Sequence, residues 1–442
     1  MNIQISEHFT LKKLFKFTLI PIITIILCST YALVDGLFIS NFCGTTAFAA
    51  VNMINPYILI FPSFGFMIGS GGNALVSKML GENKKEEANQ VFSSLVLFSV
   101  ILGIVIAIIA AVFTRPFLVS QGASGEMLEL GVIYGVIMLA GIPVFVMQYE
   151  FQEFFVAADQ SAMAFVFTMM AGITNIALDA LFVCVFKWGV VGAGVASVLG
   201  QVVGGVGPLL YFLRSKKTTL KLVRARMMPR AILKVCGNGS SEMIMNITTS
   251  VVSSLYNFIL LKMAGEVGVD AYGVILYITL LFACIFMGYN IAIVPVIGYH
   301  YGAQNTDELK GLFHKSLIII GGYSLLILVV SYAFSGFFVS TFLGYDQAAK
   351  ELAIHGFRIY ALSYIFTRLN FFGSSLFTAL NNGLISASLS VVRTLICPVI
   401  CVFTCSKIWG LDGVWFSLVL SEILSILVTV TVTLFNKKRY NL

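Results

Sequence analysis

Twelve apolar runs, most of them long enough to cross a bilayer, recur along the chain with short polar breaks between them. The first six cover residues 21–39, 49–79, 91–112, 130–149, 162–186 and 190–213. A second six follow at 242–263, 272–299, 312–334, 354–376, 385–405 and 413–435. Lys12, Lys13 and Lys16 precede the first run as they would in a signal peptide. The run is too long for one and no small-residue cleavage site follows, so it is expected to be a retained helix. The pattern predicts an all-α polytopic membrane protein. Composition agrees: 59% of residues are hydrophobic and 11% charged, against about 25% charged in soluble domains.

The two sets of six are related by a constant offset of 221 residues. "GENKKEEA" from Gly81 aligns with "GAQNTDEL" from Gly302, and "WGVVG" from Trp188 with "WGLDG" from Trp409. Phe92 falls on Phe313, Glu87 on Glu308 and Ala50 on Ala271. The chain therefore reads as a duplicated six-helix unit: a first lobe over 1–213, a basic connector over 214–234 and a second lobe over 235–442. Six is even, so both units have the same orientation and their pseudo-twofold axis runs along the membrane normal. That geometry places a cleft between two bundles and suits a rocking transporter. Small-residue spacings such as Gly200-x-x-x-Gly204 suit close helix packing.

Lys and Arg set the orientation. With the N-terminus inside, 19 of the 27 fall on the cytoplasmic side and 5 outside, so both termini are expected to be cytoplasmic. This bias explains the net charge of +7, and the basic stretch 214–234 reads as a positive-inside loop with no nucleic-acid role. Cys397, Cys401 and Cys405 share one helical face, but no histidine lies near them in sequence, so they read as packing thiols.

Ionisable groups at membrane depth are costly and are functional candidates. Asp35, Asp179 and Ser197 each lie seven or eight residues from the outer end of their helix, about 10 to 12 Å below the surface. Asn175 is one turn deeper than Asp179 on the same face. Two carboxylates, an amide oxygen and a hydroxyl make a hard-oxygen site for a cation or a proton. Tyr31, one turn before Asp35, is placed to hydrogen-bond it. At the 221 offset Asp35, Asn175 and Asp179 become Tyr256, Ile396 and Ile400, so the second lobe has no twin of this site. Glu150 and Glu153 are expected to reach interfacial water or pair with an arginine, Arg368 facing Glu150 across the cleft. Glu422, on the repeat position of Gln201, is a candidate second-lobe substrate or proton site. Glu242 is expected at the start of the seventh helix, where the helix dipole accounts for it.

These features carry a resemblance. "VDGLFISNFCGTTAFAAVN" over the first two helices, "GSGGNALVSKMLGENKKEEA" closing the second, "NIALD" on the fifth and "WGVVGAGVAS" entering the sixth resemble the multidrug and toxic compound extrusion (MATE) family. The likeness spans essentially the whole chain and is nearest the DinF- and MepA-like bacterial branch. It implies two pseudo-twofold-related bundles of six transmembrane helices and a secondary antiporter, not an enzyme. Such an antiporter exports cationic, amphipathic drugs in exchange for Na⁺ or H⁺ by alternating access. The resemblance also implies that Asp35, Asn175, Asp179 and Ser197 form the cation or proton site, and would be the ligands if the ion is Na⁺. Pro21 falls where the family has a proline that lets the first helix bend. The chain departs from the branch whose second lobe carries acidic cation ligands on helices 7 and 10.

No Walker A pattern is present, so ATP is not expected as the energy source, and no His-Glu-x-x-His or Gly-x-Ser-x-Gly motif suggests an intramembrane enzyme. The remaining alternative is a flippase or exporter of a lipid-linked saccharide or another amphipathic metabolite. The expected partners are small cationic or amphipathic molecules and the lipid bilayer, with no nucleic acid and no cofactor beyond the coupling ion. A monomer in a bacterial cytoplasmic (inner) membrane is expected.

Overall fold

The computed structural model describes residues 3–215, 218–342 and 347–440, in which the regular elements are all helices and there is no strand. The first lobe consists of α1 (Leu11–Phe42), α2 (Thr46–Gly81), α3 (Lys85–Ser120), α4 (Gly125–Ala140 and Ile142–Ala157), α5 (Ser161–Val185) and α6 (Gly189–Arg214). Thr10 caps α1, its hydroxyl accepting the Lys13 amide. α4 bends by 50° at Gly141.

A continuous helical trace then runs from Pro229 to Gly302 over 74 residues. As one helix it would be about 110 Å long, far beyond a bilayer. Gly265 turns the chain back at φ 65°, ψ −153°, a conformation open only to glycine, and divides the trace into α7 (229–264) and α8 (266–302). α9 (Thr306–Ala333) and α10 (Gln347–Ala361 and Tyr364–Ala379) follow. Gly410, at φ 60°, separates α11 (383–409) from α12 (411–440). The described residues thus form twelve spans in two six-helix lobes. Gly44 and Gly189, the repeat partners of Gly265 and Gly410, are also left-handed at φ 89° and 58°. The duplication is therefore visible in the backbone as well as in side-chain identities.

The expected connector over 214–234 is shorter than its composition suggests, because α7 is already helical from Pro229. Proline at the first turn gives up no hydrogen bond, which is why a basic, proline-containing stretch begins a helix here. Lys216 and Lys217 lie outside the described residues. For the same reason Glu242 stands inside α7 and not at its start, so it does not face the dipole of the first turn.

The lobes meet through glycines at the end of the bundle that carries the termini. A Cβ at Gly71 would sit 2.8 Å from the Gly239 amide, one at Gly81 2.8 Å from the Ala303 amide, and one at Gly302 2.8 Å from the Lys78 carbonyl carbon. The half of α2 at Ser63–Gly81 packs on the 229–302 trace in this way, whereas Thr45–Ile60 packs within its own lobe. α1 lies between the lobes: Tyr31 packs on Gly172 of α5, while Pro21 and Ile22 lie against Gly288 of α8.

Residues ahead of α1 strap the two lobes together. The Ile5 amide donates to Asp159 Oδ1 at 2.7 Å in the first lobe, and the Phe9 amide donates to Glu308 Oε1 at 2.9 Å in the second. His8 Nδ1 lies 2.5 Å from the other Glu308 oxygen, and Lys315 donates to the Phe9 carbonyl.

Candidate functional site

α5 and α6 approach closely because of Gly200, whose added Cβ would lie 2.9 Å from Asn175 Cβ and 3.0 Å from the Ala171 carbonyl. This brings Asn175 Nδ2 within 3.4 Å of Ser197 Oγ, to which it donates. Ser197 Oγ in turn donates to Asp35 Oδ1 of α1 at 3.1 Å. Asp179 is buried beside them, near enough to Asp35 for the two charges to act on each other. The four residues matched by depth along separate helices therefore do converge.

Their hydrogen bonding is incomplete in one direction. Both Asp179 carboxylate oxygens and Asn175 Oδ1 are buried with no hydrogen-bond partner among the described residues. Buried acceptors without donors are rare, because each forgoes its hydration. A proton on a carboxyl or a hard cation between these oxygens relieves that cost. Directly after Asp179 the helix loosens into a π-turn, Ala180–Val185, a distortion that occurs often at functional sites. No three His, Cys, Asp or Glu side chains form a metal cluster among the described residues, so any ion held here relies on the amide and hydroxyl oxygens as well.

Tyr31 does not bond Asp35. Its hydroxyl accepts from Gln148 Nε2 at 3.2 Å and from Gln201 Nε2 at 3.4 Å, in a layer nearer the terminal face. Both side chains lean toward the helix N-terminus, and the longer Tyr31 carries its hydroxyl out of reach of the short Asp35 side chain and onto the two glutamines. Gln152 extends the layer to Thr168 at 3.3 Å and to Cys28 at 3.2 Å. Gly204 makes room for Gln148, whose Cδ would lie 2.8 Å from a Cβ there. Gln148 and Gln152 escape a search confined to ionisable groups. Their i, i+4 spacing at mid-helix is the signal that points to them.

Glu150 and Glu153 are buried and do not reach interfacial water. Glu153 accepts from Asn73 Nδ2 at 2.9 Å, and Glu150 has no hydrogen-bond partner for either oxygen among the described residues. α2 closes over both at Gly69, where a Cβ would lie 2.9 Å from Glu153 Cγ. Arg368 does not pair with Glu150; its guanidinium lies over the Phe286 ring at 4.6 Å and the Tyr364 ring at 5.7 Å. Its depth matches that of Glu150, but it stays within the second lobe, held against rings of α8 and α10. Glu422 is held by its own lobe, 3.4 Å from Arg393 Nε and accepting from Asn370 Nδ2 at 2.7 Å.

The family model described as MatE matches residues 21–181 and 242–403, one match in each lobe. The multidrug export protein MepA of Staphylococcus haemolyticus is 23% identical over 425 residues, covering 94% of this chain and 92% of that protein. Among solved structures, a MATE in complex with MaL6 superposes with a TM-score of 0.91 at 22% identity, covering 99% of this chain and 97% of that one. A multidrug resistance MATE transporter of the MOP superfamily, in its outward-facing conformation, gives 0.88 at 24% identity over 96% and 95% of the two chains. The fold, the two matched lobes and the membrane-spanning helices make this protein a multi-pass membrane transporter, not an enzyme, and the chain belongs to the MatE family.

Proposed function

We propose that this transporter exports amphipathic organic compounds, cationic drugs among them, in exchange for Na⁺ or H⁺ by alternating access. The observation that carries the reading is the set of donorless oxygens on Asp179 and Asn175 beside the Ser197–Asp35 hydrogen bond. An ion entering there gains two carboxylates, and its departure leaves them facing one another at membrane depth, where unneutralised charge is costly. Because α1 carries Asp35 on the first-lobe side and Pro21 against Gly288 of the second, ion binding is linked to the seam between the lobes. A ligand that prefers one state shifts the balance by its difference in affinity for the two.

The substrate class is supported by the relatives, which are named multidrug export proteins. The excess of Lys and Arg at the terminal face supports cytoplasmic termini in a bacterial cytoplasmic membrane. On that orientation, the glycine seam at the terminal face lies on the cytoplasmic side and holds the lobes together there. Asn175, Asp179 and Ser197 complete the ion site, Tyr31 and the glutamines around it form its floor, and the protein acts as a monomer.

The test is dye efflux from proteoliposomes under separately imposed Na⁺ and H⁺ gradients. One gradient should drive efflux in the wild type, and Asp35→Asn should abolish the gradient dependence in folded protein. Undiminished gradient-driven efflux by the variant would sink the coupling role.

A further inference from the structure

The two lobes differ in the sign of the charged side chains they bury with unsatisfied atoms among the described residues. In the first, the orphaned charged atoms are the carboxylate oxygens of Glu150 and Asp179. In the second, the orphaned nitrogens include Arg368 Nε and Nη2 and Trp415 Nε1, which only donate, beside the two ring nitrogens of His300, and Arg368 is the one that carries a full charge. Arg368 is only 6% exposed, and none of the ion pairs among the described residues includes it. The acid nearest in kind, Glu422, is already engaged by Arg393 and Asn370. The rings of Phe286 and Tyr364 hold the guanidinium by its face, which leaves its edge donors for a ligand in the plane.

The helix α8 against which this arginine is held also meets α1, which lies between the lobes. Phe286 is two residues from Cys284, whose Sγ is 3.1 Å from Ser29 Oγ of α1, and the adjacent Cys28 belongs to the glutamine layer of the first lobe. Phe286 and Cys284 point to different faces of α8, so α8 and α1 together stand between the arginine and the acceptors of the first lobe.

We propose that Arg368 is an anion-receiving subsite, taking a carboxylate or phosphate oxygen pair on one end of an amphiphilic substrate whose cationic end faces the first lobe. The planar guanidinium suits such a group bidentately, and an aromatic cradle fixes its orientation. This deepens the export reading and rests on it for the word substrate, but the subsite is tested by binding alone.

The probes are a fluorescent aryl tertiary amine bearing a carboxylate and its methyl ester, which keeps the cation and removes the anion. Binding to purified full-length protein is followed by fluorescence polarisation, and efflux is measured separately. Wild type should bind the acid more tightly than the ester. Arg368→Gln should weaken the acid by about tenfold to a hundredfold, the range for a hydrogen bond to a charged group, and change the ester less than twofold. Arg368→Lys, which keeps the charge but loses the fork, should fall between, and it carries the test if Arg368→Gln does not fold. Equal loss for both probes, no loss, or no binding of either overturns the subsite. So does Arg368-dependent movement of labelled phosphatidylglycerol without acid–ester discrimination, which would assign the arginine to lipid headgroups. Acid-selective binding without any efflux would leave the subsite standing and overturn the export reading.

Discussion

Ser197 Oγ donates to Asp35 Oδ1 at 3.1 Å, joining α6 to α1 across the interior of the first lobe. The hydroxyl acts as a relay, since it also receives the Asn175 amide at 3.4 Å. Ser197→Ala removes the relay and leaves both acids in place. A hydrogen bond to a charged group is worth about 1.5 to 3 kcal/mol, and half-buried Asp35 can recover part of that from water. Losing this donor makes charged Asp35 costlier, so if the coupling ion is H⁺ its half-saturating concentration should fall about three- to tenfold, with Ser197→Thr near wild type. Na⁺, which loses a hydroxyl ligand, should instead be needed at a higher concentration. Efflux rate against ion concentration in proteoliposomes reads this directly.

The convergence of Asp35, Asn175, Asp179 and Ser197 is legible in the sequence because depth along a membrane helix is linear in residue number. Direction around the helix and packing between helices are not, and the departures lie there. Tyr31 has the right spacing from Asp35 but its long side chain reaches past it, onto Gln148 and Gln201. Glu150 and Glu153 lie near a helix end by count, yet the bend at Gly141 and the closure of α2 at Gly69 bury them. The glutamine layer is hard to see because neutral amides do not stand out in an apolar run as charges do. The strap at residues 5–9 carries no periodicity, and only the folded chain reveals that it reaches both lobes.

Close approach at Gly200 should be the most sensitive packing feature of the ion site. Gly200→Ala places a methyl 2.9 Å from Asn175 Cβ and 3.0 Å from a backbone oxygen, so α5 and α6 must part. Overpacking of this kind costs about 1 to 3 kcal/mol. Thermal unfolding in detergent should shift downward by several degrees, and ion-dependent efflux should weaken with it. Gly273→Ala, where a Cβ meets nothing within 4 Å, is the control and should be silent in both measurements.

The strap should bias which side of the transporter is open. Glu308 receives the Phe9 amide and His8, while Asp159 receives the Ile5 amide, so the segment spans the lobes only while they are together at the terminal face. Glu308→Gln keeps the shape but replaces a charged acceptor of two donors with a neutral one. The expected result is a larger population open at the terminal face, read as a severalfold faster labelling of Cys236, which neighbours the Val235–Gly71 contact on α7. An unchanged labelling rate would mean that the glycine seam alone holds this face shut.

Arg393 and Glu422 lie 3.4 Å apart with side chains 13% and 14% exposed, and Asn370 donates to the same carboxylate at 2.7 Å. Removing one member of such a pair leaves the other charged within the lobe, so the loss exceeds that of a surface ion pair. Breaking a buried pair typically costs about 3 to 5 kcal/mol, and the residual exposure here places the expectation at the lower end. Glu422→Gln should therefore lower the unfolding temperature markedly, and Arg393→Gln should do the same. The double variant Arg393→Gln with Glu422→Gln should recover much of the loss, because it leaves no uncompensated charge. If Glu422 instead takes a direct part in transport, the double variant should regain stability but not the efflux rate, and measuring both on one preparation separates an architectural pair from a working one.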